Sequence, residues 1–225
     1  MITKVIFLDI DGVLNSVQSA HMYHRLRGKK VNPYDDFCLT AVCLLCDILD
    51  AHPDCKLVIS SSWRKRYCDD LDASNDINLK SIFDPLPDEN IKQLIQSRVI
   101  GRTKAIYKEI PQGIKVSNRE VFRGDEIQEW IDTNKDRLAK DFKFVILDDE
   151  SDMGYLYNHH VQTDTHVGLT IRNSQEVILR LMPVQKEQEE RILEATKLIY
   201  RESINLRCHD EIVKLIDSIR KIIKT

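Results

Sequence analysis

The sequence predicts an α/β protein: a doubly wound, Rossmann-like parallel sheet over residues 1–183, then a helical hairpin over residues 184–225. Three observations predict it. Short apolar runs alternate with helix-period segments along the first part of the chain, which implies parallel strands covered on both faces. Polar and mostly acidic residues stand just past the ends of those runs: Asp9 and Asp11, Ser60, and Asp148 and Asp149. Sheets of this kind bind ligands outside the carboxyl ends of their strands. Beyond residue 183 the pattern changes to two amphipathic segments, one with Ile192, Ala195 and Ile199, the other with Ile212, Leu215, Ile219 and Ile222.

The elements follow in order. Residues 4–8 are a short Val/Ile/Phe-containing run, a buried strand. Residues 15–35 are polar and read as irregular, and they hold the basic stretch at 24–30. Residues 36–51 read as a helix with Phe37, Val42, Leu45, Ile48 and Leu49 on its apolar side and Pro53 beyond its end. Residues 56–59 are a second strand, ending in Ser60, Ser61 and Ser62. A helix at 88–97 leads into a third strand at 99–100, and a helix at 124–134 precedes a fourth strand at 144–147. A fifth strand is expected at 166–169. Asn173, with Glu176 three residues on, is the expected cap of the next helix. Neither residues 15–35 nor 66–98 are long enough for a full cap domain, so an open site is expected.

Composition bounds the rest. The chain has 225 residues and a formal net charge of -3, with 42% hydrophobic and 31% charged residues, values of an ordinary globular protein and not of a basic nucleic-acid coat protein. No apolar run approaches the roughly 18–20 residues that span a bilayer, and the N-terminus lacks a signal-peptide cleavage site, so a cytosolic protein without membrane contact is expected. Six cysteines include one C-x-x-C, Cys43 and Cys46. With no second ligand pair they read as free thiols on the buried face of a helix rather than as a zinc site.

Asp9-Ile10-Asp11-Gly12 places two carboxylates on one side of an extended chain, with Gly12 permitting the turn that follows. A calcium loop is excluded, because the twelfth position counted from Asp9 is Ala20 instead of Glu. Asp148 and Asp149 add two more carboxylates. Four clustered carboxylates call for a cation, and an oxygen-only ligand set favours Mg²⁺, which commonly shares its shell with a substrate phosphate. The hydroxyls of Ser60 and Ser61 and a cation, Arg123 or Lys104, are the candidates to hold that phosphate.

The ordered set FLDIDGVLN, KLVISSS, a cation ahead of the fourth strand, and VILDDESD resembles the four motifs of the haloacid-dehalogenase (HAD) superfamily. The segments SSSWR, RGDEIQEW, ILDDESDM and VQTDTHVGLT further resemble the branch associated with multi-enzyme RNA-repair proteins, over roughly residues 1–180. The resemblance implies a phosphatase in which Asp9 attacks phosphorus and becomes an aspartyl-phosphate. Asp11 then serves as general acid and later as general base. It also implies Mg²⁺ held by Asp9, the backbone carbonyl of Asp11, and an acid from Asp148-Asp149. A nucleotide or nucleic-acid phosphate end is the preferred substrate, a small phosphorylated metabolite the other. The rival readings are a receiver-like phosphoacceptor module and an idle scaffold that binds a partner through its C-terminal helices, which also offer a surface for oligomerisation.

Blander roles stand beside these. Trp63 reads as packing rather than base stacking, Arg64 as a solvated surface residue or a substrate contact, and His159-His160 as a loop feature. Asp152 divides between a supporting carboxylate and a helix cap.

Overall fold

The strands form where β-branched and aromatic residues concentrate. In the computed structural model, which describes residues 1–27, 37–64, 76–106 and 122–182, they are β1 (Ile2–Leu8), β2 (Cys55–Ile59), β3 (Val99–Arg102), β4 (Leu138–Asp148) and β5 (His160–Gln162). They pair in the order β3-β2-β1-β4-β5, and every pairing is parallel. The helices are α1 (Val17–Arg27), α2 (Leu39–Ala51), α3 (Glu89–Arg98), α4 (Arg123–Thr133) and α5 (Ile171–Leu181). The described residues up to Leu181 make one compact unit.

Successive strand residues point to opposite faces, and both faces are apolar. Ile6, Leu8, Leu57, Ile59, Val145 and Leu147 pack on one side against Leu45 and Ile48 of α2, Ile95 of α3 and Val177 of α5. Val5, Phe7, Val58 and Ile146 pack on the other against Ile127 and Trp130 of α4. Phe7 meets Trp130 edge-on at 5.4 Å between ring centroids. Each such fully buried side chain stabilises the fold by about 1.5–3 kcal/mol relative to exposure. The expected doubly wound α/β sheet is the fold observed. The chain winds from β1 outward through β2 to β3, then crosses to the other side of β1 for β4. The switch point therefore lies between the carboxyl ends of β1 and β4.

Four expectations need correction. Residues 15–35 are not irregular throughout: α1 occupies Val17–Arg27. Its sequence lacks a clear apolar stripe, and Ala20 is its buried hydrophobic residue. The helix instead starts on a reciprocal cap: Ser16 Oγ accepts from Ser19 N at 3.1 Å, and Ser19 Oγ accepts from Ser16 N at 3.0 Å. The fifth strand is His160–Gln162, not 166–169. Those later residues form a turn around Gly168 (φ +80°), where Leu169 N donates to Val13 O at 2.9 Å. Thr170, not Asn173, caps α5. Asn173 N donates to Thr170 Oγ1 at 3.3 Å and Thr170 N to Asn173 Oδ1 at 3.2 Å, so the box lies three residues earlier than the Asn173-Glu176 pattern suggests.

The fourth correction concerns the thiols. The core side of α2 is Ala41, Val42, Leu45, Ile48 and Leu49, which leaves Cys43 exposed and Cys46 half-buried. Burial, then the Cys43 thiol, pushes the Cys46 thiol up to about 11. Cys68, Cys208, residues 28–30 of the basic run and the hairpin at 184–225 lie outside the described residues. Among the described residues no helix is long and apolar enough to cross a membrane.

Candidate active site

Backbone pairing carries the sheet one residue past each strand end and fixes the residues that follow. Asp9 N donates to Leu147 O at 2.9 Å, Ser60 N to Leu8 O at 3.0 Å, Thr103 N to Ile59 O at 3.0 Å and Thr163 N to Asp148 O at 3.1 Å. Asp9 and Asp148 thus sit side by side at the switch point. One carboxylate oxygen from each of Asp9, Asp148 and Asp149 lies within 4.8 Å of the other two.

Asp149 is brought in by the turn after β1. Gly12 has φ +70°, and a Cβ there would lie 2.3 Å from both Cγ and Oδ2 of Asp149. The absent side chain is the space that Asp149 fills. Thr165 Oγ1 donates to Asp149 Oδ2 at 2.6 Å, and Gln162 Nε2 donates to the Asp149 carbonyl at 2.9 Å. Thr163 Oγ1 donates to Gly12 O at 2.7 Å and ties the same turn to the segment after β5.

Arg123 opens α4 and faces this cluster. Its Nε is 3.4 Å from Asp148 Oδ2, its Nη1 is 3.9 Å from Asp9 Oδ1, and Nη1 donates to the Ser60 carbonyl. Asp152 Oδ2 accepts from Arg123 N at 3.1 Å and so caps the helix that delivers the arginine. Gly124 lets α4 approach closely, since a Cβ there would meet the Met153 carbonyl at 2.1 Å. Lys104 is placed differently. It is exposed and lines a cavity of about 200 Å³ with Arg102, Trp130 and Arg137.

Arg64 is neither at the surface nor free. It is buried, donates through Nη1 to the Ser61 carbonyl at 2.8 Å and to the Ser60 carbonyl, and pairs through Nη2 with Glu126 Oε2 at 2.7 Å. One guanidinium thereby joins the serine loop to α4.

Asp11 points to a different set of partners. Asn15 Nδ2 donates to Asp11 Oδ1 at 2.9 Å, and Asn15 Oδ1 accepts from Gly12 N at 3.1 Å. Trp63 Nε1 donates to Asp11 Oδ1 at 2.9 Å and to Oδ2 at 3.0 Å. The Ser61 hydroxyl accepts from Trp63 N at 3.3 Å and donates to Asp9. Ser60 Oγ is fully buried and has no hydrogen-bond partner among the described residues.

The electrostatics ask for positive charge. Burial, then the Asp9 carboxylate, pushes the Asp148 carboxyl up to about 8 against the pull of Arg123. Burial raises Asp9 as well, opposed by Arg123 and by the hydrogen bond from Ser61. Asp148 Oδ2 is buried without a hydrogen bond. Two crowded carboxyls, an unsatisfied oxygen and a third carboxylate from Asp149 are what a hard divalent cation would relieve, and oxygen donors alone suit such an ion.

A family model described as the HAD domain in Swiss Army Knife RNA repair proteins matches residues 5–173. The chain belongs to this family. The match runs from β1 into α5 and so contains every described strand-end residue of the site. It bears out the resemblance read from the four motifs, branch included. No curated protein and no solved structure matches the chain.

In this HAD domain, sequence reading found the strand-end acids and the packing of Trp63, but it missed Asn15, Thr163, Thr165 and the indole hydrogen bond from Trp63 to Asp11. Polar residues near a strand end carry no signal of which carboxylate they will meet. Asn15 closes FLDIDGVLN, Thr163 and Thr165 lie in VQTDTHVGLT and Trp63 in SSSWR, yet none of these motifs says which carboxylate the residue will meet.

Proposed function

We propose that the chain is a Mg²⁺-dependent phosphomonoester hydrolase that releases phosphate from a nucleotide or RNA end through an aspartyl-phosphate on Asp9. The convergence of Asp9, Asp148 and Asp149 within 4.8 Å, with Arg123 against two of them, carries this reading. Asp9 and Asp149 side chains, Asp148 and the Asp11 carbonyl are the groups that would hold the ion. When bound, Mg²⁺ supplies charge neutralisation at the phosphoryl oxygens.

The chain's own residues do the rest. Asp9 attacks phosphorus while the bond to the leaving oxygen breaks. Asp11 gives that oxygen its proton. Water then attacks the aspartyl-phosphate, Asp11 takes a proton from the water, and the bond between phosphorus and Asp9 breaks to free orthophosphate. The unpartnered Ser60 hydroxyl donates to a phosphoryl oxygen, and the Arg123 guanidinium stabilises the charge there. Lys104, in its separate cavity, has no part in this reading. The family description favours an RNA end over a small metabolite. A receiver-like phosphoacceptor has no use for a second acid two residues from its nucleophile. Asp11, held by three donated hydrogen bonds, favours turnover.

The test is phosphate release from 3′- and 5′-phosphorylated RNA oligonucleotides and from small phosphomonoesters. The expected result is release with Mg²⁺, lost on chelation, with an RNA end among the best substrates. No release from any of them with Mg²⁺, or full activity after exhaustive chelation, would overturn it.

A further inference from the structure

The geometry points to Trp63 as a positioning residue for Asp11: its indole N–H fixes the plane of the acid/base carboxyl group toward the leaving oxygen. This rests on the phosphatase reading above and deepens it.

The indole straddles the carboxylate. Distances of 2.9 and 3.0 Å to the two oxygens place the N–H almost symmetrically between them, so rotation of the carboxylate about its Cβ–Cγ bond weakens one contact or the other. Asn15 holds Oδ1 from a second direction at 2.9 Å, and its own carbonyl is occupied by Gly12 N. The ring itself is held. Trp63 is 3% exposed, its ring lies 5.8 Å from Phe37, and Phe37 stacks at 5.8 Å on Phe83. A tryptophan whose only duty was packing would need no acceptor beyond water or a carbonyl. This one donates to a carboxylate in the turn after β1, 52 positions away.

The link to the chemistry is double. The Trp63 backbone N–H donates to Ser61 Oγ, and Ser61 in turn donates to Asp9. One residue therefore sets the orientation of the carboxyl two places after the nucleophile and, through a hydroxyl, that of the nucleophile. An indole N–H donates and cannot accept, so Trp63 takes no proton from Asp11 and cannot itself be the acid or base.

The experiment is single-turnover and steady-state kinetics of the full chain with Mg²⁺, on an alkyl phosphate and an aryl phosphate, for wild type and Trp63→Phe. An alkyl leaving group needs a well-placed proton donor; an aryl leaving group needs it much less. Trp63→Phe should slow the alkyl substrate by about tenfold or more through kcat and slow the aryl substrate several-fold less, with KM little changed. Because Trp63→Phe leaves space in the core, benzothienylalanine at position 63, which keeps the ring shape and lacks the N–H, serves as the second variant and should give the same split. Equal slowing of both substrates by the two variants, or no slowing by benzothienylalanine, overturns the positioning role while leaving the phosphatase reading intact. The alkyl phosphate is the RNA end or small phosphomonoester that wild type hydrolyses fastest, and a wild type inert toward all of them removes the phosphatase reading, and this proposal with it.

Discussion

Replacing Gly12 with alanine should cripple the proposed Mg²⁺ site more than the fold. The new Cβ would stand 2.3 Å from Cγ and Oδ2 of Asp149, against an ordinary carbon contact of about 3.5 Å. Asp149 must therefore retreat by roughly 1 Å, several times the ~0.2 Å tolerance of a metal-ligand distance. Thr165 and Gln162 oppose the retreat by holding the carboxylate and the carbonyl of Asp149. The backbone adds its own cost. At φ +70° an alanine is disfavoured by about 1–2 kcal/mol, which lowers Tm by about 2–8 °C in a unit of this size. Weakening one of three carboxylate ligands should reduce Mg²⁺ affinity by about tenfold or more. The assay is the Mg²⁺ dependence of phosphate release, with calorimetric titration of Mg²⁺ in parallel and a melting curve to show that the protein is folded. A folded Gly12→Ala protein that binds Mg²⁺ as tightly as wild type would refute the placement of Asp149 in the metal site.

Three further outcomes follow from the same geometry. The Asp148 carboxyl is raised to about 8 in the folded protein against 3.8 as its ordinary value, so between those values the native state binds more protons than the unfolded one. Stability of the metal-free protein should therefore fall as pH rises from about 4 to 8, and Mg²⁺ should raise Tm more at pH 8 than at pH 5. A metal-free Tm that climbs across this range would contradict the burial argument. Glu126→Leu should destabilise by about 3–5 kcal/mol, read by urea unfolding, because it strands the buried Arg64 guanidinium now paired at 2.7 Å. A loss under about 1 kcal/mol would show that the pair does not brace the serine loop. Asp152→Ala should cost about 0.5–2 kcal/mol by the same measurement, through loss of the cap on Arg123 N, and should lower activity because α4 carries Arg123. Unchanged stability would remove the capping role.

The sheet was legible because its strands are apolar on both faces, and the site because parallel strands must end at one edge. Asp9, Asp148 and their neighbours needed only that rule. What escaped the sequence had weaker causes. α1 buries little, so its signal was two serines instead of an apolar stripe. β5 is three residues long and holds its place through pairing with β4 rather than through composition. The choice between Arg123 and Lys104 was open in the sequence, since both precede β4 and both are cations. The structure places Arg123 against Asp9 and Asp148, through a helix start capped by Asp152, and sets Lys104 in another cavity. Trp63 was read by its size alone; its single polar atom proved to be the informative one.

In the proposed mechanism Asp9 carries the phosphoryl group between the two stages of hydrolysis. Acid quenching of the protein during turnover with Mg²⁺ and a phosphorylated substrate, followed by peptide mass spectrometry, tests it most directly. One added phosphoryl group is expected on the peptide that contains Asp9, removed by hydroxylamine and absent from Asp9→Asn, which should also be inactive. A phosphoryl group on any other residue, or brisk turnover by folded Asp9→Asn protein, would contradict it.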